Sequence, residues 1–146
     1  MQVPANACVL VADGRKMLFF RNQGDAQYPN LQVETAEERI NPADRDQKTD
    51  APGRASSPQG AAFGSMEEVD FHQQEEDRFA AETAALLKKR ALANDFEALI
   101  VVAPPKTLGE LRKHYHKEVS QRLIGEPDKD LTGHPVPDIE KALTAA

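Results

Sequence analysis

The stretch "LIVVAPPKTLGELRKHYHKE", residues 99–118, decides the fold: an apolar run meets two prolines and turns into a basic segment with helical spacing. Together with the residues ahead of it, "FEALIVVA" (96–103) is apolar and β-branched throughout, which predicts a strand at the centre of a sheet, buried on both faces. Beyond it, Thr107 and Glu110 have capping-box spacing, and Leu108, Leu111 and Tyr115 recur at helical intervals. A helix is therefore expected to run on through the basic residues. Open α/β sheets gather ligands at the carboxyl ends of their strands. Here that place is taken by Ala103-Pro104-Pro105, which carries no acid, base or nucleophile.

Upstream, "CVLVA" and "MLFFR" read as strands around "DGRK", whose Asp13-Gly14 dipeptide favours the positive φ angles of a tight hairpin. "LQVET" continues the meander, with Leu31, Val33 and Thr35 alternating against polar neighbours. Residues 41–64, "NPADRDQKTDAPGRASSPQGAAFG", hold three prolines, three glycines and mixed charge, and predict a long mobile loop. A long helix follows. Ser65 with Glu68, and Asp70 with Gln73, are candidate caps; Glu75, Glu76 and Asp77 suit its early turns, and Lys88, Lys89 and Arg90 its last. Phe79, Thr83, Leu86 and Leu87 form its inner stripe, and Asn94 or Asp95 ends it. Downstream, "RLIGEPDKD" predicts a short fifth strand and "TGHPVPDIEKALTAA" a terminal helix with Val136, Ile139 and Leu143 facing inward. The resulting order is β-β-β-α-β-α-β-α: a single α/β domain over 1–146, with a five-stranded mixed sheet in the order of the ribonuclease H-like fold.

At 146 residues the chain can bury a core without disulfides, and its one cysteine, Cys8, reads as a small core residue in an apolar run. That run is too short for a signal peptide or membrane span, so the expected address is the cytoplasm. A net charge of −6 argues against a general nucleic-acid binder, and no DNA partner is expected.

A nuclease of this fold needs carboxylates converging on paired metal ions, one of them at the tip of the fourth strand, where the prolines stand. Asp13 fits a turn better than a mid-strand ligand. His114 and His116 are two apart and so point away from each other on a helix, while His72 and Glu76 lack the second histidine of a zinc helix. His72 reads as a capping or packing residue, His134 as a turn residue, and "EPDKD" as a solvated turn. There is no nucleophile elbow, phosphate loop or dinucleotide fingerprint. No metal and no cofactor are expected, and the reading leans away from an enzyme. The single basic concentration is Lys106, Arg112, Lys113, Lys117 and Arg122, with His114, Tyr115 and His116 interleaved: a candidate surface for RNA or an acidic partner.

The segments "VLVADGRK", "NPADRDQKTDAPGR", "DFHQQEEDRFAAE", "LIVVAPPKTLGELRKHYHKEV" and "GEPDKDLTGHPV" together resemble the bacterial host attachment protein family. That resemblance implies a non-catalytic protein acting through an unknown protein partner in attachment to host cells. The family is in turn similar to the middle domain of archaeal and eukaryotic peptide-chain release factors. There a Gly-Gly-Gln loop ahead of the first long helix helps water hydrolyse peptidyl-tRNA on the ribosome. The corresponding place here reads "SSPQGAAFGSME", with Gln59-Gly60 preceded by Ser57-Pro58. The resemblance thus makes Gln59 the candidate catalytic position and a ribosome- or tRNA-associated factor the alternative function. Proline fixes φ beside the glutamine where the release-factor loop has free glycines, so no hydrolysis is expected.

Overall fold

The computed structural model describes residues 1–39 and 64–146, with side chains from residue 71 onward in the second stretch. Gln59 and all of the expected loop except Gly64 lie outside the described residues.

β1 (Cys8–Ala12) and β2 (Lys16–Asn22) form the expected hairpin. The turn closes by a different route from the one the Asp-Gly pair suggests, because neither residue adopts a positive φ. Instead Asp13 Oδ1 accepts from the Arg15 and Lys16 backbone N–H groups at 2.8 and 2.7 Å, and the Asp13 N–H donates to the Lys16 carbonyl. The Glu76 carboxylate lies over Gly14, where a Cβ would require that side chain to move.

β3 (Leu31–Glu38) completes the antiparallel meander at a sheet edge. The expected alternation of Leu31, Val33 and Thr35 fails midway. Phe20 faces Val33 while Phe19 faces Thr35, so Glu34 is an inserted residue and the inward face changes phase across it. Leu31 is buried, whereas Val33 is 56% exposed.

The sheet order is β3-β2-β1-β4-β5, with β4 (Leu99–Val102) and β5 (Leu123–Gly125) parallel to β1. β4 is interior as expected, although β1 takes the middle position. β4 is also shorter than its apolar run, which begins with Phe96 buried against Phe19 at a ring distance of 6.3 Å. All of β1 and β4 is buried, their alternate residues entering two cores. One core holds Leu10, Phe19 and Val101 with Phe79, Leu87, Leu108, Leu111 and Val119; the other holds Val9, Phe20 and Ile100 with Leu131, Ile139 and Leu143. The result is a mixed α/β sheet between helical layers.

α1 (Gly64–Leu92) starts before both candidate caps, so Ser65 and Asp70 are helix-interior residues. Phe79, Ala80, Thr83, Ala84, Leu87 and Ala91 make its buried stripe, with Leu86 only at the margin. The helix ends as expected, at Asn94 with φ 57°. There the Asn94 and Asp95 N–H groups reach back to the Ala91 and Arg90 carbonyls.

The expected single helix after the prolines is two. α2 (Pro105–Arg112) begins directly on the proline pair, and no side chain caps it, so Thr107 sits inside its first turn. α3 (Lys117–Arg122) begins after His116, whose Nδ1 accepts the Glu118 N–H at 3.0 Å. His116→Ala should cost about 1 kcal/mol in chemical denaturation, and His116→Asn should retain most of it, because an asparagine oxygen can serve the same orphan donor. β5 and α4 (Val136–Ala145) follow where expected, with Ile139 and Leu143 buried. Among the described residues no helix is long and apolar enough to cross a membrane.

Two polar clusters hold the base of the sheet. Asn22, wholly buried, shares its Nδ2 protons among the Val3, Pro4 and Asp25 carbonyls and accepts at Oδ1 from the Gly24 and Asn30 N–H groups. Arg21 and Arg90 both bind Glu34 and Asp95, and the Arg90 guanidinium lies 4.0 Å from the Phe19 ring centroid. Cys8 beneath this network is fully buried, and burial pushes its thiol up to about 12, leaving it without thiolate character near neutrality.

Candidate nucleic-acid interface

The basic concentration is spread over the β4-to-β5 crossover, and the helix break divides it. Lys106 lies on the first turn of α2, beyond the carboxyl end of β4, and is exposed. Lys113, one residue past the end of α2, is seven positions on and so returns to nearly the same side of the helix, about 10 Å along the axis. Gly109 lies between them, and a Cβ there would meet nothing within 4 Å. Lys106, Gly109 and Lys113 therefore frame an open strip on which a backbone-bound anion could lie close to the helix.

Local carboxylates temper this strip. Lys113 bonds Glu110 at 3.0 Å, and Arg112 bonds Glu126 at 3.1 Å. These hydrogen bonds raise both cations above their usual pKa values, so each remains fully charged. Glu126 also receives the Tyr115 hydroxyl at 3.4 Å, and burial, reinforced by Glu126, pushes that phenol well above its usual range. Both ion pairs are exposed on the cation side and exchange readily for a stronger anion.

Lys117 is exposed on α3. Arg122 belongs to the scaffold. Its guanidinium donates to the Phe96 carbonyl at 2.9 Å, to the Glu118 carbonyl at 3.0 Å and to Asn94 Oδ1 at 3.2 Å, tying α3 to the connection between α1 and β4. It thus sits at the end of the crossover opposite Lys106. Sequence spacing put the five cations in one run; the structure leaves Lys106, Arg112, Lys113 and Lys117 outward and turns Arg122 inward.

At the carboxyl ends of β1 and β4, residues 126–134 cross the strand tips. The Ala103 N–H donates to the Pro127 carbonyl, and the buried Thr132 hydroxyl donates to Asp13 Oδ2 at 2.7 Å and lies 3.3 Å from Asp130 Oδ1. Asp13 thus closes the hairpin with one oxygen and holds Thr132 with the other. Among the described residues no group of three or more His, Cys, Asp or Glu side chains could hold a metal ion. His114 and His134 are exposed, and His72 packs edge-on against Phe71. The Asp13–Thr132 pairing is the feature that residue-by-residue reading missed. Both partners lie in segments already singled out, "VLVADGRK" and "GEPDKDLTGHPV", but only the fold brings them together across 119 positions.

No curated protein matches this chain. A family model does: the bacterial archaeo-eukaryotic release factor family 12 covers residues 6–143, from the turn before β1 to the last buried leucine of α4. The match bears on the release-factor side of the resemblance and carries nothing on host attachment. With every strand of the sheet and all of its buried helical leucines inside the matched span, the chain belongs to the bacterial archaeo-eukaryotic release factor family 12.

Proposed function

We propose that this protein is a translation-associated factor that binds ribosomal or transfer RNA through the outer side of α2 and the start of α3, without hydrolysing peptidyl-tRNA. The observation that carries this reading is the release-factor family match over nearly the whole chain. It favours the translation alternative over the attachment role, which the match does not support. Lys106, Arg112, Lys113 and Lys117 are the phosphate contacts, and Gly109 lets the backbone approach. Arg122 is structural. The absence of turnover rests on sequence alone, through Ser57-Pro58 ahead of Gln59.

The test is RNA binding as a function of salt. Replacing Lys106, Lys113 and Lys117 with alanine should weaken binding and shallow the log–log salt slope by roughly 0.7 to 1 unit per lost phosphate contact. Gln59→Ala should leave both unchanged. Wild-type hydrolysis of peptidyl-tRNA that disappears in Gln59→Ala would replace the non-hydrolytic reading with a catalytic one.

A further inference from the structure

The two edges of the sheet are unlike. β5 offers three residues, and Met1 packs close enough to Gly125 that a Cβ there would strike it. β3 offers eight residues, of which only Leu31 is buried. At that end the edge is closed, because the Leu31 N–H donates to Glu140 Oε2 of α4 at 2.7 Å. From residue 33 onward nothing comparable covers it among the described residues. Val33 is among the most exposed of the large hydrophobic side chains found there, and Ala36, Glu37 and Glu38 are all exposed.

The chemistry of this edge selects its occupant. β3 carries Glu34, Glu37 and Glu38 and no cation between Leu31 and Glu38. Glu34 is neutralised by Arg21 and Arg90, while Glu37 and Glu38 have no ion pair among the described residues, although Lys16 stands across from Glu38 on β2. Acidic residues on an edge are a usual guard against self-pairing: a second copy would bring the same carboxylates together, and a nucleic-acid strand would be repelled. They leave the backbone groups that have no partner among the described residues open to one kind of chain, an extended segment bearing lysine or arginine.

We propose that residues 33–38 of β3 are a docking strand for an extended basic segment of a partner protein. Main-chain ladder bonds supply the pairing, Glu37 and Glu38 take the partner's cations, and Val33 gives an apolar contact. The inference rests on the sheet edge and is independent of the RNA reading.

The experiment titrates an octapeptide of paired lysines and paired valines, which sets a lysine on each face of the added strand, and its glutamate–valine counterpart, into the full-length isotope-labelled protein and follows backbone amide shifts. The expected result is shifts concentrated at 33–38 and on the facing part of β2 with the lysine peptide alone. Binding should weaken about tenfold in Glu37→Lys/Glu38→Lys, the loss of two exposed ion pairs, and that variant should instead accept the glutamate peptide. Shifts on α2, equal binding of both peptides, or unchanged affinity in the charge-reversed variant would overturn the proposal. So would concentration-dependent shifts at 33–38 without peptide, which would mark a second copy as the occupant.

Discussion

Asn22→Leu should lower the free energy of unfolding by about 2–4 kcal/mol, a large share of the stability of a domain this size. The side chain is wholly buried, and its loss leaves the Val3 carbonyl unpaired in the interior and removes a partner from the part-buried Pro4 and Asp25 carbonyls and the part-buried Gly24 and Asn30 N–H groups. Each unsatisfied group costs roughly 1–3 kcal/mol, and the leucine's extra apolar contact offsets only part of the sum. Asn22→Asp should be no milder, because it turns the donating end of the amide into an oxygen facing the same three carbonyls. Urea unfolding gives the magnitude, and Cys8 gives an independent readout. Its buried thiol, held up at about 12, reacts with an alkylating agent only when the sheet opens, so the labelling rate should rise with the destabilisation.

Phe19→Ala should cost about 3–5 kcal/mol from cavity formation, with up to about 1 kcal/mol more from the lost stacking of Arg90. Phe19 has no exposed surface, touches Phe96 at the entry to β4 and supports the guanidinium that joins α1 to Glu34 and Thr35 of the bulged edge strand. Arg90→Ala in the wild-type background should therefore cost less than Phe19→Ala, and the two changes should be non-additive in a double-mutant cycle. Additivity would show that the ring and the cation act independently.

These two sites illustrate what the sequence carries and what it conceals. The strands of the two cores were readable because burial on one or both faces leaves a local pattern: the apolar run at β4, the paired runs of β1 and β2, and the 3–4 spacing along α1. The short β5 and the last helix were readable from glycine and proline placement. The departures occur where a distant group decides the local outcome. The hairpin turn uses the Asp13 side chain, with Glu76 occupying the space a larger residue than Gly14 would need. The β3 bulge places Glu34 between two arginines, one of them 56 positions away. Arg122 looks like one more cation in a basic run until the Phe96 carbonyl and Asn94 are seen to hold it. Charge spacing puts these cations in one run and says nothing of which of them the fold holds by hydrogen bonds to its own backbone, as it does Arg122.

Sedimentation of the full-length protein with purified ribosomes, across a range of salt, tests the translation assignment most directly. The account predicts co-sedimentation at low salt, progressive release as salt rises, and weaker co-sedimentation with a shallower salt dependence when Lys106, Lys113 and Lys117 are replaced together in a variant that keeps wild-type stability. A folded wild-type protein that remains free of ribosomes and of transfer RNA even at low salt would contradict it.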